Sequence, residues 1–326
     1  MRIRQAFRLS SILAISSHSG PDRILKAMHC GCDEYLVKPV DQDRLLEALI
    51  PIWLRKRDRL EPPKPTGQVL AFMGVKGGCG VTTLSTHLGT LLARAHKRKT
   101  LLVDSHPQSG DVAFYLALTG PSCHFPHLLE RAAELDSGLL KGFLLRHRSG
   151  VDVLPAPEGL ELPAPVSRRA LEEVLEFLKS EYEFVLIDCP PGLSESNVTI
   201  VGRSDHVFLV AIPEATSLRR VTYYLDYFDR HRHLANITDK VQLVLNCHEG
   251  ALSDAATEGV VGRPLYWTVP SQKEKVLRAI NSGDPSAGAV DSDFMRSLTC
   301  WAEEIANQRM TPNEPAGSLA SALEPL

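Results

Sequence analysis

Short apolar runs recur along the chain at residues 69–73, 100–103, 184–187, 206–212 and 241–245. They are rich in Val, Ile, Leu and Phe and lack polar alternation, so they predict strands buried on both faces. Most of the intervening stretches are long enough for helices. Helical spacing and start signals predict them over 82–95, 167–180, 217–231, 272–282 and 291–308. Strands that alternate with helices in this way predict an α/β fold, a mostly parallel doubly wound sheet with helices on both faces.

A separate pattern precedes this one. Residues 11–16 predict a buried strand, 21–29 a helix, 35–37 a second strand and 41–53 an amphipathic helix, a partial β-α-β-α segment. A charged run at 55–59 leads into a proline-rich stretch with Pro62, Pro63 and Pro65. That stretch predicts an interdomain linker. The expected organisation is a first segment over 1–60, a linker over 61–67, a nucleotide-binding domain over 68–308 and a disordered tail over 309–326. No internal repeat is visible.

Composition narrows the partners. With 36 basic and 39 acidic residues in 326, the net charge is −3, so no global field recruits nucleic acid or an anionic membrane. A nucleic-acid partner is not expected, and membrane association is at most peripheral. Arg219, Arg220, Arg230, His231 and Arg232 form a local basic strip that could touch DNA or acidic lipid or simply be a solvated face. Seven cysteines without CxxC spacing fit a reducing compartment. The apolar patch 9–15 imitates a secretory signal, yet it is short and interrupted by Ser10 and Ser11. No apolar run reaches the ~20 residues a spanning helix needs. The twelve histidines show no paired ligand spacing. Met295, Leu298, Trp301 and Ile305 lie at helical spacing and predict a last helix packed on the sheet.

The candidate chemistry begins after the strand at 69–73. Lys76, Gly77, Gly78, Cys79, Gly80, Val81, Thr82 and Thr83 join that strand to a helix, the context in which a glycine-rich loop cradles phosphate. The glycines let backbone N–H groups point inward, and the Thr82 hydroxyl can coordinate Mg²⁺. A glycine-rich turn is also what any tight strand–helix connection uses, so the distal motifs decide. Asp104 and Asp188 each end an apolar run, which places them at the carboxyl edge of the sheet, where open α/β folds bind ligands. Asn246 ends another run, with an amide suited to a base edge.

Five motifs in order, over about residues 68–290, resemble the ParA/MinD/NifH family with its deviant Walker A loop, and most of all its CpaE/TadZ pilus-assembly branch. They are KGGxGxTT at 76–83, the segment from Leu101 to Asp111, Phe184 to Asp188 followed by Cys-Pro-Pro-Gly192, Leu243 to Asn246, and Val269-Pro270 with the helix end at 279–285. The resemblance implies ATP or ADP with Mg²⁺ as cofactors and a homodimer that forms on ATP binding. It makes Lys76 the signature lysine that reaches the partner's nucleotide, and gives Mg²⁺ to Thr82 and, through water, to Asp188. It assigns Asn246 and Pro270 to the base, and Lys76, Asp104 and the residue at 106 to catalysis. Two departures stand out. Val81 replaces the loop lysine, and His106 replaces the aspartate that orients the attacking water, so hydrolysis is expected to be weak or absent. The implied function is a cytoplasmic spatial organiser at a cell pole or the inner membrane, with pilus or secretion assembly proteins as partners. The alternative is a cycling partition or division-site ATPase. An iron–sulfur reductase is excluded because no cysteine pair is placed to hold a cluster.

Residues 11–53 resemble the second half of a response-regulator receiver, through Ser16, Gly31, Tyr35 and the Lys38-Pro39 pair. In that family the hydroxyl and the lysine bind a phosphoryl group. The acidic residues of that family have no counterpart here, so Lys38 is expected to be a packing element in a truncated or degenerate domain with an unpaired strand edge.

Overall fold

The computed structural model describes residues 12–30, 32–60, 67–120, 123–160, 166–231, 237–250, 253–285 and 292–307. The start of the chain, Gly31, linker residues 61–66, Arg232 and the tail 309–326 lie outside the described residues. The chain divides into two compact units at residues 64 and 65.

The first unit holds β1 (Leu13–Ser16), α1 (Pro21–His29), β2 (Glu34–Val37) and α2 (Gln42–Leu60). The two strands pair in parallel, Leu13 opposite Glu34 and Ser16 opposite Val37. Lys38 N–H donates to the Ser16 carbonyl at 2.8 Å, so the two motif positions sit together at one strand end. The Tyr35 hydroxyl donates to the His18 carbonyl at 3.0 Å. The strand expected to be buried is only half-buried, with Ile15 47% exposed. Its one partner among the described residues is β2, and a two-stranded sheet leaves flanks open to water. Helix α2 runs past the expected end at residue 53. Neither Gly nor Pro intervenes between residue 53 and its end.

The second unit is a helix-covered sheet. Its strands are β3 (Gln68–Gly74), β4 (Thr100–Asp104), β5 (Leu145–Arg146), β6 (Asp152–Leu154), β7 (Phe184–Cys189), β8 (His206–Ala211), β9 (Val241–His248) and β10 (Leu265–Pro270). They lie in the order β10-β9-β8-β3-β7-β4-β6-β5. Every pairing is parallel except β5 with β6. Strand β3 is therefore central, with β7 on one side and β8 on the other. Parallel pairing demands crossovers, and the long ones are α3 (Val81–Arg94), α7 (Arg168–Glu181), α8 (Glu195–Arg203), α9 (Ala215–Arg230) and α10 (Asp254–Val261). Short helices α4 (Val112–Tyr115), α5 (Phe125–Glu130) and α6 (Ser137–Lys141) fill the excursion between β4 and β5. Ser167, Ser194 and Ser253 cap α7, α8 and α10 by accepting from the backbone N–H three residues on, which fixes where those helices start.

The chain closes with α11 (Lys273–Asn281) and α12 (Asp293–Asn307). As its spacing predicted, α12 buries Phe294, Met295, Leu298, Trp301 and Ile305. It packs on α3 and β10. Trp301 has no exposed surface and sits edge-on to Phe208 at 5.0 Å, stacked on Trp267 at 5.8 Å and 6.1 Å from Phe72. One residue thus joins β3, β8 and β10 to the last helix. Trp301→Ala is expected to cost about 3–5 kcal/mol, the usual loss for a large aromatic removed from a packed core. Chemical denaturation followed by circular dichroism measures it, and a loss below about 1 kcal/mol would mean α12 is peripheral.

Candidate functional site

The loop between β3 and α3 is built from backbone conformation. Gly78 and Gly80 hold positive φ angles of 79° and 86°. A side chain at Gly80 is excluded twice over, since its Cβ would also lie 2.3 Å from Asn246 Nδ2. Val75 N–H donates to the Val210 carbonyl at 3.0 Å and ties the loop's start to β8. Asn246, 5% exposed and two residues before the end of β9, donates Nδ2 to the Cys79 carbonyl at 2.8 Å and braces the loop from the other side. One amide proton and the carbonyl of Asn246 remain for other partners. The Cys79 thiol is buried, and burial pushes its pKa up, so it stays neutral inside the loop. Val81 packs against the hydrophobic core and brings no charge. Lys76 forms an ion pair with Glu214, which directly precedes α9.

Strand register sets the acidic end of the site. Asp104 lies opposite Asp188 where β4 pairs with β7, and neither has exposed surface. Asp188 Oδ2 accepts from the Thr82 hydroxyl at 2.7 Å, which joins the second acid to the first turn of α3. Its Oδ1 is buried without a hydrogen-bond partner among the described residues. Asp104 is fully engaged. Oδ1 accepts from His106 N–H at 3.2 Å and pairs with His106 Nδ1 at 2.9 Å, and Oδ2 accepts from Val112 N–H at 3.1 Å, at the start of α4. The chain folds closely over Asp104 at Gly110, where a Cβ would lie 2.2 Å from Oδ2.

Burial, then the neighbouring Asp104 charge, pushes the Asp188 pKa up to about 7, with His106 and Thr82 working against the rise. For His106, burial pulls the pKa down, but the hydrogen bond to Asp104 and the charges of Asp104, Asp188 and Asp111 outweigh it and leave the net shift upward. The orphaned Asp188 Oδ1, together with the Thr82 hydroxyl beside it, is a donor set that fits a hydrated Mg²⁺.

The remaining elements shape the rim. Asn197 Nδ2 donates to the carbonyls of Pro190 and Gly192 at 2.8 and 2.7 Å, and Gly192 N–H donates to the Tyr224 hydroxyl oxygen at 2.9 Å. These bonds pin the loop after β7. Pro270 ends β10 at the same edge, and the following Ser271 N–H donates to the His248 carbonyl at 3.0 Å. Lys76, the loop, Asp104, His106, Asp188 and Asn246 therefore converge, while Pro270 stands one strand further out. A cavity of about 1060 Å³ opens beside Gly110 and Asp111, past the stacked rings of His124 and His127, and none of residues 76–83 lines it. Glu214, Asn197 and Tyr224 escaped sequence reasoning, and Gly110 was read only as part of the segment from Leu101 to Asp111. The one available signal was position, since Glu214 lies just past the apolar run at 206–212.

A glycine loop between a central strand and a helix, with two acids on neighbouring strand ends, defines a P-loop nucleotide-binding architecture. The family model described as an AAA domain matches residues 67–241. The chromosome-partitioning protein ParA of Caulobacter vibrioides is 30% identical over 233 residues, covering 67% of this chain and 85% of the relative. The chain belongs to the ParA/MinD family of P-loop ATPases. Among solved structures, a ParA-family ATPase from Chlorobium tepidum superposes with a TM-score of 0.67 at 20% identity, over 72% of this chain and 98% of that one. The septum site-determining protein MinD of Pyrococcus horikoshii, complexed with Mg-ADP, gives 0.62 at 22%, over 73% and 96%. These likenesses carry the fold.

The acidic cluster makes a pH prediction. A carboxyl whose folded pKa is raised binds more protons folded than unfolded, so its contribution to stability is lost as pH rises from the ordinary carboxylate value of 3.8 through about 7. Without divalent cations, Asp188→Asn is expected to gain stability relative to wild type across that window. Paired denaturation curves at several pH values test the sign, and a difference that is flat or falls with pH would refute the burial argument.

Proposed function

We propose that the chain is an ATP-binding spatial organiser of the CpaE/TadZ type, which forms a nucleotide-dependent dimer and hydrolyses ATP slowly or not at all. Its partners would be pilus or secretion assembly proteins at a cell pole or the inner face of the membrane, and the first unit would be a receiver-like remnant that no longer accepts phosphate. No described helix is long and apolar enough to cross a membrane. The observation that carries the reading is the mismatch within the site: the backbone cradle and the α3 N-terminus are intact, but Val81 and His106 occupy the places of charged groups.

Nucleotide binding rests on inward N–H groups and the helix dipole, which need no side chain. Gly77, Gly78, Gly80, Thr82 and Thr83 keep that cradle. Mg²⁺, when bound, would neutralise charge developing on the phosphates. Thr82 and Asp188 would hold it, and Asn246 and Pro270 would flank the base. Turnover rests instead on placed charge and an oriented water. His106 Nδ1 is engaged with Asp104, and an imidazole lacks the fixed negative charge that makes a carboxylate a reliable acceptor. Each such loss typically costs about 10²–10³ in rate, and two in one site need not multiply.

A second reading is a cycling partition or division-site ATPase, and the ParA and MinD relatives favour it at the family level. Turnover separates the two. Val81→Lys combined with His106→Asp is expected to raise hydrolysis well above wild type with less change in nucleotide affinity. Wild-type turnover at the rate of intact ParA or MinD, measured in parallel, would establish the cycling reading instead.

Lys76 tests the dimer. In the single chain it pairs with Glu214, and in the proposed dimer it reaches the partner's phosphates. Lys76→Ala is expected to abolish dimerisation by a non-hydrolysable ATP analogue while leaving the monomer folded. Sedimentation velocity reads both, and an unchanged dimer fraction would make Lys76 a turn residue only.

A further inference from the structure

The cluster at the ends of β4 and β7 differs in kind from a magnesium site. One ligand atom from each of Asp104, His106 and Asp188 lies within 4.8 Å of the others. Both carboxylates have no exposed surface, and His106 is 25% exposed, so the cluster has a buried floor and an open lip. Two buried carboxylates side by side repel, and a buried anionic oxygen without a partner is costly. Asp188 Oδ1 is such an atom.

We propose that Asp104, His106 and Asp188 form a mixed imidazole–carboxylate site for a first-row transition dication such as Mn²⁺, Co²⁺ or Zn²⁺, filled without nucleotide. Oxygen donors alone suit Mg²⁺, whereas an imidazole nitrogen moves preference toward the transition series. His106 Nδ1 lies 2.9 Å from Asp104 Oδ1, a separation that two donors on one ion can have, and a bound dication would take the place of the hydrogen bond between them. Asp188 Oδ1 supplies the charged oxygen from the opposite strand. With metal–ligand bonds of about 2.0–2.2 Å, small side-chain rotations bring the donors onto one ion, and water completes the shell at the open lip. The dication offsets both buried charges at once, which a lone hydrogen bond to Thr82 does not. This extends the cation site proposed above but does not need ATP to bind.

The test uses metal-stripped full-length protein without nucleotide. Co²⁺ titration followed by its visible d–d absorption is expected to show one saturable site per chain, and Zn²⁺ is expected to displace the colour. His106→Ala and Asp188→Asn should each weaken Co²⁺ binding by about 10-fold or more, on the scale seen when metal-site partners are removed. His106→Asp should restore preference for Mg²⁺ over Co²⁺, which guards against a variant that merely fails to fold. A wild-type titration without a cobalt band would overturn the proposal. So would Co²⁺ binding that survives His106→Ala unchanged. Protein that binds Co²⁺ but no nucleotide would refute the function proposed above and leave this site standing.

Discussion

Two carboxylates with no contact with water stand side by side at the ends of β4 and β7, and much of the surrounding structure answers that constraint. A buried carboxylate is tolerated only when hydrogen bonds or opposite charge compensate it. Asp104 is compensated by backbone: the His106 and Val112 N–H groups reach it because the chain turns back tightly, and Gly110 is the residue that permits the approach. Asp188 is compensated only in part, by Thr82. The asymmetry has a structural origin. Asp104 has a loop wrapped over it that brings backbone N–H groups to both its oxygens, whereas Asp188 meets only the Thr82 hydroxyl.

The phosphate loop is held by the same logic from the other flank. Asn246 and Gly80 form a matched pair, since the amide of one occupies the space where a side chain of the other would lie. Through Cys79, strand β9 is thereby coupled to the loop, and Val75 couples it to β8. The loop is thus braced by the Asn246 amide and by the Val75 backbone bond, and neither brace is a lysine side chain. The Val81 side chain therefore joins the core without leaving a hole in the cradle.

The sheet was largely legible because parallel strands covered on both faces read as continuous apolar runs, and β3, β4, β7, β8 and β9 each carry one. Strands β5 and β6 were not, since two and three residues are too short to show any period. Nor was β10, where Tyr266 and Thr268 interrupt the apolar pattern. The expected burial of β1 failed for another reason: period shows that a strand forms, not what covers it. At the site, Asp104 and Asp188 could be placed from strand ends alone, whereas His106 was placed only by its match to the family's motif. The pairing of Lys76 with Glu214 could not, because it joins residues 138 apart in the chain. No local pattern encodes such a contact.

That last pair sets how the loop can respond to a ligand. Lys76 is 26% exposed and Glu214 54%, so water and salt screen the attraction between them. Exposed pairs of this kind contribute about 0–1 kcal/mol. In the proposed nucleotide complex a triphosphate would offer several negative oxygens, and a charge-assisted bond to one of them would be stronger than a screened pair at the surface. The ammonium therefore has little holding it to Glu214, and in the proposed complex it would have a stronger anion to move to. Because Glu214 directly precedes α9, losing Lys76 leaves that carboxylate at the helix N-terminus, where the positive end of the dipole stabilises it. Under the proposed function, release of the lysine would thereby be eased at both ends, and the ion pair would be a resting place for Lys76 and not a lock.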